Sequence, residues 1–311
     1  FGHTRLAIID PTLGAQPISN EDDTLWIVSN GEIYNYRELR AQLEAKGHRF
    51  KTHSDAETIL HLYEDVGPAC TEQLRGMFAF AIWDSVRRTL LLARDPIGIK
   101  PLYYTLRSNT LVFASTLTAL LQHAGVTRSI DVESLHNYLA YHYIPSPRTI
   151  LRGISKLGPA QRLVFTNGRS RVETYWDISF QADERTSEAS WSDCVRGRIT
   201  DAVRANMIAD VPVGAFLSGG LDSSTVVSTM ARITGEPVRT NTVGFDDPRF
   251  DERSEARRLA RQMGCDHYEQ IIRPDARDIV ELLPQHFDEP FGDPSAIPTY
   301  YASRMARQQV K

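Results

Sequence analysis

One stretch of seven residues, 218–224 (SGGLDSS), constrains this 311-residue chain more than any other. It follows an apolar run at 211–217 and precedes a segment at 223–234 whose Val226, Val227, Met230 and Ala231 recur on one helical face before Gly235. A strand that passes through two glycines into a helix leaves the N–H groups of the first helical turn without intrahelical partners. With Ser218, Ser223 and Ser224 beside those N–H groups, the turn becomes an anion site, and the helix dipole adds about 0.3–1 kcal/mol for a nearby negative group. Asp222 conflicts with a bound phosphate, and a Mg²⁺ ion between the two resolves the conflict. Taken alone, the same residues would equally suit a glycine turn with an Asp or Ser N-cap. The strand before and the helix after favour phosphate. A Walker loop is excluded, because Gly219 is followed by Gly220 and not Lys, and no GxGxxG occurs.

The rhythm around this turn predicts a fold. Helix at 194–208, strand at 211–217, helix at 223–234 and strand at 238–245 are followed by a helix at 255–263 and a strand at 267–272. In that last helix Ala256, Leu259, Ala260 and Met263 share a face. Alternation of this kind implies a parallel sheet with helices on both faces and a ligand at the carboxyl ends of its strands. The first half reads differently. Short strands at 6–9 and 25–29, the second ending in the turn signal Asn30-Gly31, precede a helix at 36–46 closed by Gly47. Ser54-x-x-Glu57 is a capping box for a helix carrying Ile59, Leu62, Tyr63 and Val66. Strand-like runs follow at 77–83, 90–93, 102–105 and 111–114, with turns at Asp84, Pro96, Gly98 and Asn109. Together they suggest sandwiched sheets with helices packed outside. A helix fits 132–141; the rest of 115–180 is broken by prolines and glycines, and 181–189 reads as a linker. The chain is thus expected to be α/β with an α+β N-terminal half, divided into domains at 1–180 and 190–311.

A net charge of −4 argues against a general nucleic-acid binder, and no apolar run approaches the roughly 18–20 residues of a membrane helix. Cys70, Cys194 and Cys265 form no CxxC pair, which fits a reducing cytoplasm and a role for all three as small buried hydrophobes. The nine histidines show no HExxH or other metal-ligand spacing.

The segment 210–224 (DVPVGAFLSGGLDSS) resembles the pyrophosphate loop of the glutamine-hydrolysing asparagine synthetase family, and 242–245 (TVGF) is similar to that family's next strand. The segment 288–298 (DEPFGDPSAIP) resembles a further piece of its synthetase cleft. In the first half, 2–10, Gln16-Pro17, 30–35 (NGEIYN), Ser54-Asp55, 76–81, Trp83-Asp84 and 93–104 resemble the family's glutaminase domain. The resemblance implies an N-terminal-nucleophile glutaminase sandwich followed by an ATP pyrophosphatase domain. It also implies that Leu217, Ser218, Gly219, Gly220, Leu221, Asp222, Ser223, Ser224, Val243 and Gly244 bind ATP, with Asp222 holding Mg²⁺. Arg5, Leu6, Ile8, Asn30, Gly31, Glu32 and Asp55 would bind glutamine. The Arg5 guanidinium can fork onto its α-carboxylate, Asp55 and the Glu32 region can accept from its ammonium, and Asn30 with the Gly31 N–H can form an oxyanion hole. On its own, Asn30-Gly31 suits a hairpin turn better.

The family's nucleophile is an N-terminal cysteine, and none of the three cysteines suits that role, so the nucleophile strand is expected upstream of Phe1 and a further synthetase loop beyond Lys311. The implied activity is ATP-dependent amidation of aspartate with ammonia from glutamine, in a cytoplasmic homodimer. Rivals are a same-architecture amidotransferase with another carboxylate acceptor, a β-lactam-type synthetase, an ammonia-using relative and a non-catalytic scaffold.

Overall fold

The computed structural model describes residues 1–249, 251–273 and 276–310, with 276–279 as backbone only. It divides into two compact units, one of residues 1–179 with 286–292, the other of residues 180–285 with 293–311.

The first unit is built on two antiparallel sheets. Strands β1 (Ile18–Ser19), β2 (Leu25–Ile33), β3 (Gly76–Asp84) and β4 (Thr89–Arg94) continue into β8 (Gln161–Thr166) and β9 (Arg169–Thr174), in that order across one sheet. The smaller sheet has β5 (Tyr103–Arg107) between β6 (Thr110–Ala114) and β7 (Ser155–Lys156). Strands β3 and β4 are almost continuously apolar because both of their faces are covered, as in any strand buried on two sides. On one face Val28, Ala81, Leu92 and Leu163 stand in register and pack with Leu102, Leu157, Tyr104 and Phe113 of the facing layer. On the other, Ile27, Phe78, Phe80, Ile82 and Leu91 are fully buried, and each such side chain contributes about 1.5–3 kcal/mol. Helix α2 (Asp55–Val66) packs on β2 and α1 (Tyr36–Ala45) packs against α2, and the Tyr63 hydroxyl of α2 reaches Asp84 Oδ2 at 3.4 Å.

Several expectations change here. Residues 6–9 are irregular, not a strand. Asn30-Gly31 is not a turn: β2 runs straight through it, because pairing with β3 continues to Ile33↔Gly76. Ser54 caps α2 by accepting from the Ala56 N–H, but Glu57 does not complete the box. Its carboxylate instead accepts from the Lys51 and Thr52 N–H groups. The hairpin β8–β9 lies in the stretch whose prolines and glycines hid it. Helices α3 (Leu117–Leu120) and α4 (Val132–Tyr141) complete the unit.

The second unit opens with α5 (Glu188–Asn206) and runs through β10 (Gly214–Phe216), α6 (Leu221–Thr234), β11 (Arg239–Gly244), α7 (Arg253–Met263) and β12 (Asp266–Ile271). The three strands form a parallel sheet in the order β10-β11-β12. Leu217, Val227, Ala256 and Ala260 make one buried cluster joining α6 and α7, and Val203, Met230 and Val238 make another beside α5. Helix α8 (Ala276–His286) leads to α9 (Ala296–Ala306), which packs against β11.

Candidate functional site

At the carboxyl ends of β10, β11 and β12 lies a cavity of about 1100 Å³. Its apolar wall includes Phe216, Leu217, Val243, Phe245, Ile272 and Ile297, and its polar residues include Ser218, Ser223, Asn241, Asp246 and Arg273. The rim is the turn before α6. The Ser218 N–H donates to Ser223 Oγ at 3.1 Å, the two hydroxyl oxygens stand 2.9 Å apart, and the Gly220 N–H donates to Ser218 Oγ at 3.1 Å. These bonds hold the turn in shape, while the first N–H groups of α6 have no intrahelical partner. Gly219 is required by packing, since a Cβ there would lie 2.9 Å from Glu255 Cβ on α7. The Asn241 Oδ1 atom is buried without a hydrogen-bond partner, and Asn241 lines the cavity. Such an atom fits a donor carried by a ligand, because leaving it unmet costs about 1–3 kcal/mol.

In the first unit Asp55 sits at the start of α2, almost fully buried. Burial pushes its carboxyl above the ordinary range, against the lowering effect of the Ile33 N–H that donates to Oδ2 at 2.8 Å. Arg5 donates through Nη1 to the Asp10 carbonyl at 2.9 Å and through Nη2 to the Ile9 carbonyl. Gly14 makes room for it, since a Cβ there would stand 2.6 Å from Nη1. Gly31, at φ +143°, leaves even less space: a Cβ would fall 1.9 Å from the Met77 carbonyl oxygen. In the same unit Arg94 donates to the carbonyls of Lys100, Leu157 and Gly98 at 2.6–2.7 Å. Asp95 accepts from the N–H groups of Ile97, Ile99 and Lys100. The resembling stretch 93–104 thus builds a rigid turn.

Residues 1–176 match the glutamine amidotransferase domain family and residues 194–311 the asparagine synthase family. The chain belongs to the glutamine-hydrolysing asparagine synthetase family. Asparagine synthetase (glutamine-hydrolysing) 1 of Bacillus subtilis is 41% identical over 100% of this chain and 49% of its own length. A putative family member of Methanocaldococcus jannaschii is 35% identical over 100% of this chain and 63% of its length. The Gibberella zeae protein called amidase chry2 is 35% identical over 90% and 44%. The chain therefore spans about half the length of the curated relatives that it matches. Among solved structures, a glutamine phosphoribosylpyrophosphate amidotransferase of B. subtilis overlays with a TM-score of 0.39 at 16% identity, over 82% of this chain and 64% of that one.

Set beside that family membership, the sequence-derived residues divide. Leu217, Ser218, Ser223 and Val243 line the cavity, whereas Gly219, Gly220, Leu221, Asp222, Ser224 and Gly244 are not part of its wall. Asp222 is exposed in the first turn of α6, and a Cβ on Gly244 would run into Arg253 and Asp251. Of 288–298, only Pro294, Ser295, Ile297 and Pro298 reach the cavity. Asp288 belongs to the first unit, where it accepts from the N–H groups of Leu117 and Thr118 at the start of α3. Glu289 likewise pairs with Lys156 at 2.6 Å. Sequence reasoning missed Phe216, Asn241, Thr242 and Arg273, ordinary residues that gain meaning only from their place at strand ends. The cysteines also divide: Cys70 is buried, its thiol pushed up to about 12 by desolvation, but Cys194 is exposed and Cys265 half-buried. Cys194 is therefore no core residue.

Proposed function

We propose that this chain carries the glutamine-binding and ATP-binding parts of an enzyme that amidates aspartate. The observation that carries the reading is the cavity at the carboxyl ends of three parallel strands, with the turn of Ser218 and Ser223 on its rim. Nucleotides bind at such positions in open α/β sheets. The apolar wall suits a purine, the orphaned Asn241 Oδ1 suits an exocyclic amine, and the N–H groups entering α6 suit phosphate oxygens. The exposed Asp222 carboxylate, next in sequence to Ser223, is an oxygen ligand of the kind that Mg²⁺ takes together with substrate phosphates. When bound, that ion supplies charge neutralisation.

In the proposed reaction an aspartate carboxylate oxygen attacks the α-phosphorus of ATP and pyrophosphate leaves. Ammonia then attacks the acyl carbon, AMP leaves, and the amide loses a proton to solvent. Ser218, Ser223 and the first turn of α6 position the polyphosphate. In the first unit the buried Asp55, its carboxyl raised by desolvation, gains most from an ammonium partner such as that of free glutamine. Asn30 and the Gly31 N–H are the proposed oxyanion donors, and Arg5 the proposed carboxylate ligand, along with Leu6, Ile8 and Glu32. Three cysteines left unpaired agree with a cytoplasmic setting.

Aspartate-dependent exchange of pyrophosphate into ATP by the full-length protein tests the reading. Exchange lowered about 10²-fold by Ser223→Ala supports it, and no exchange with any carboxylate refutes it. A second reading, the same chemistry on another carboxylate, is favoured by the relatives that carry the name amidase. Exchange that ignores aspartate but answers to a different acid would establish that alternative.

A further inference from the structure

Glu21 from the turn before β2, His48 from the loop after α1, and His61 and Glu64 from α2 converge in the first unit and share no residue with either site described above. One ligand atom from each lies within 4.8 Å of every other. His61 Nδ1 is 2.8 Å from Glu64 Oε2 and 3.5 Å from Glu21 Oε2, and His48 Nδ1 is 3.2 Å from Glu64 Oε2. Ligand atoms bound tetrahedrally at about 2.0–2.1 Å stand about 3.3 Å apart, a spacing that these three distances bracket.

The outer partners distinguish this cluster from an ordinary ion pair. Three of the four residues have their second polar atom held from behind. Glu21 Oε1 accepts from the Arg49 N–H at 3.0 Å, and Glu64 Oε1 accepts from Asn20 Nδ2 at 2.6 Å. His48 Nε2 lies 3.0 Å from Asp65 Oδ1. His61 Nε2 is buried without a hydrogen bond and faces Glu57 Oε1 at 3.5 Å, a carboxylate fixed by the backbone of Lys51 and Thr52. Both imidazoles therefore present Nδ1 to a common point and Nε2 to a carboxylate. That pairing fixes the tautomer and raises the basicity of a metal-bound histidine. His61 is fully buried, with the Phe50 ring 4.3 Å from its own, so one side of the cluster is dry.

We propose that Glu21, His48, His61 and Glu64 form a structural Zn²⁺ site. Two carboxylates balance the charge of the ion, and the imidazoles ligate as neutral groups, any Nδ1 proton passing to solvent. Two nitrogen and two oxygen ligands favour zinc over magnesium or calcium, which take more oxygens. Because the protein fills all four positions, the ion has no place for a substrate and acts as a clamp between the β1–β2 turn, the end of α1 and α2. This inference does not depend on the proposed amidation.

The test uses full-length protein freed of metal by a chelator, titrated with ZnCl₂ by calorimetry and with CoCl₂ by visible absorption. The expected result is a saturable site for one Zn²⁺ per chain and the intense absorption of tetrahedral Co²⁺. Glu21→Gln and His48→Gln should each weaken Zn²⁺ binding about 100-fold, and Asp65→Asn, which spares all four ligands, about 10-fold. Glu21 lies in an exposed turn, so Glu21→Gln keeps the test decisive even if His48→Gln does not fold. Absence of saturable binding, or binding unaltered by Glu21→Gln, would overturn the proposal.

Discussion

Replacing Gly31 with alanine should be far more damaging than the same change at Gly47. At position 31 the new β-carbon would sit 1.9 Å from the Met77 oxygen and 2.7 Å from the Phe78 α-carbon, all backbone atoms of β3. A β-carbon does not approach other atoms closer than about 3 Å, so β2 and β3 must part by about 1 Å where Gly31 and Phe78 pair. Overpacking of this kind costs about 1–3 kcal/mol, and a side chain at φ +143° adds about 1–3 kcal/mol of backbone strain. The expected loss is thus about 2–6 kcal/mol, or a melting point lowered by roughly 5–20 °C for a unit of this size. Gly47 is the control: its φ of +103° carries strain, but nothing lies within 4 Å of the added carbon. Gly47→Ala should cost only about 1 kcal/mol. Thermal unfolding of the two full-length variants, followed by circular dichroism, measures the difference. Equal losses would refute the claim that contact with β3, beyond glycine's backbone freedom, demands Gly31.

Other outcomes follow from the same structure. Ser223→Ala removes the hydroxyl that ties Ser218 into the turn, and should lower pyrophosphate exchange about 10²-fold with little change in melting. Asp10→Asn should cost about 1–3 kcal/mol at neutral pH. Burial alone would raise the Asp10 carboxyl, but the N–H groups of Leu13 and His53 and the Thr12 hydroxyl hold it below its ordinary value of 3.8. Its contribution is therefore present above that value and fades as pH falls through the lower folded value, so wild-type and variant urea midpoints should converge in acid. Maleimide labelling followed by peptide mapping should find Cys194 modified quickly in the native protein and Cys70 only after unfolding.

What the sequence disclosed depended on whether a signal was local. The helix after Gly219-Gly220, its closing Gly235, and α7 with Ala256 and Ala260 inward follow from punctuation and period, and they set the cavity's position. Asn30-Gly31 was misread because that dipeptide alone prefers a hairpin turn, whereas nine consecutive pairs with β3 carry the strand through it. Strand β9 is mostly exposed, so its polar residues gave no apolar alternation to follow. Asn241 and Thr242 look like any polar residues in a strand until the sheet places them at its carboxyl edge. The four proposed zinc ligands are spread from Glu21 to Glu64, and only His61-x-x-Glu64 has a helical spacing. A search for short metal motifs therefore passes over them.

The short return of residues 286–292 to the first unit has a practical consequence for dissecting the molecule. Cutting the chain near 180, where sequence comparison invites it, would take away Asp288 from the first turn of α3 and Glu289 from Lys156. An isolated N-terminal piece should be loosened around α3, and a synthetic peptide of residues 286–292, added in trans, should restore the protection of the Leu117 and Thr118 amides from hydrogen exchange. In this chain, the first compact unit is discontinuous in sequence.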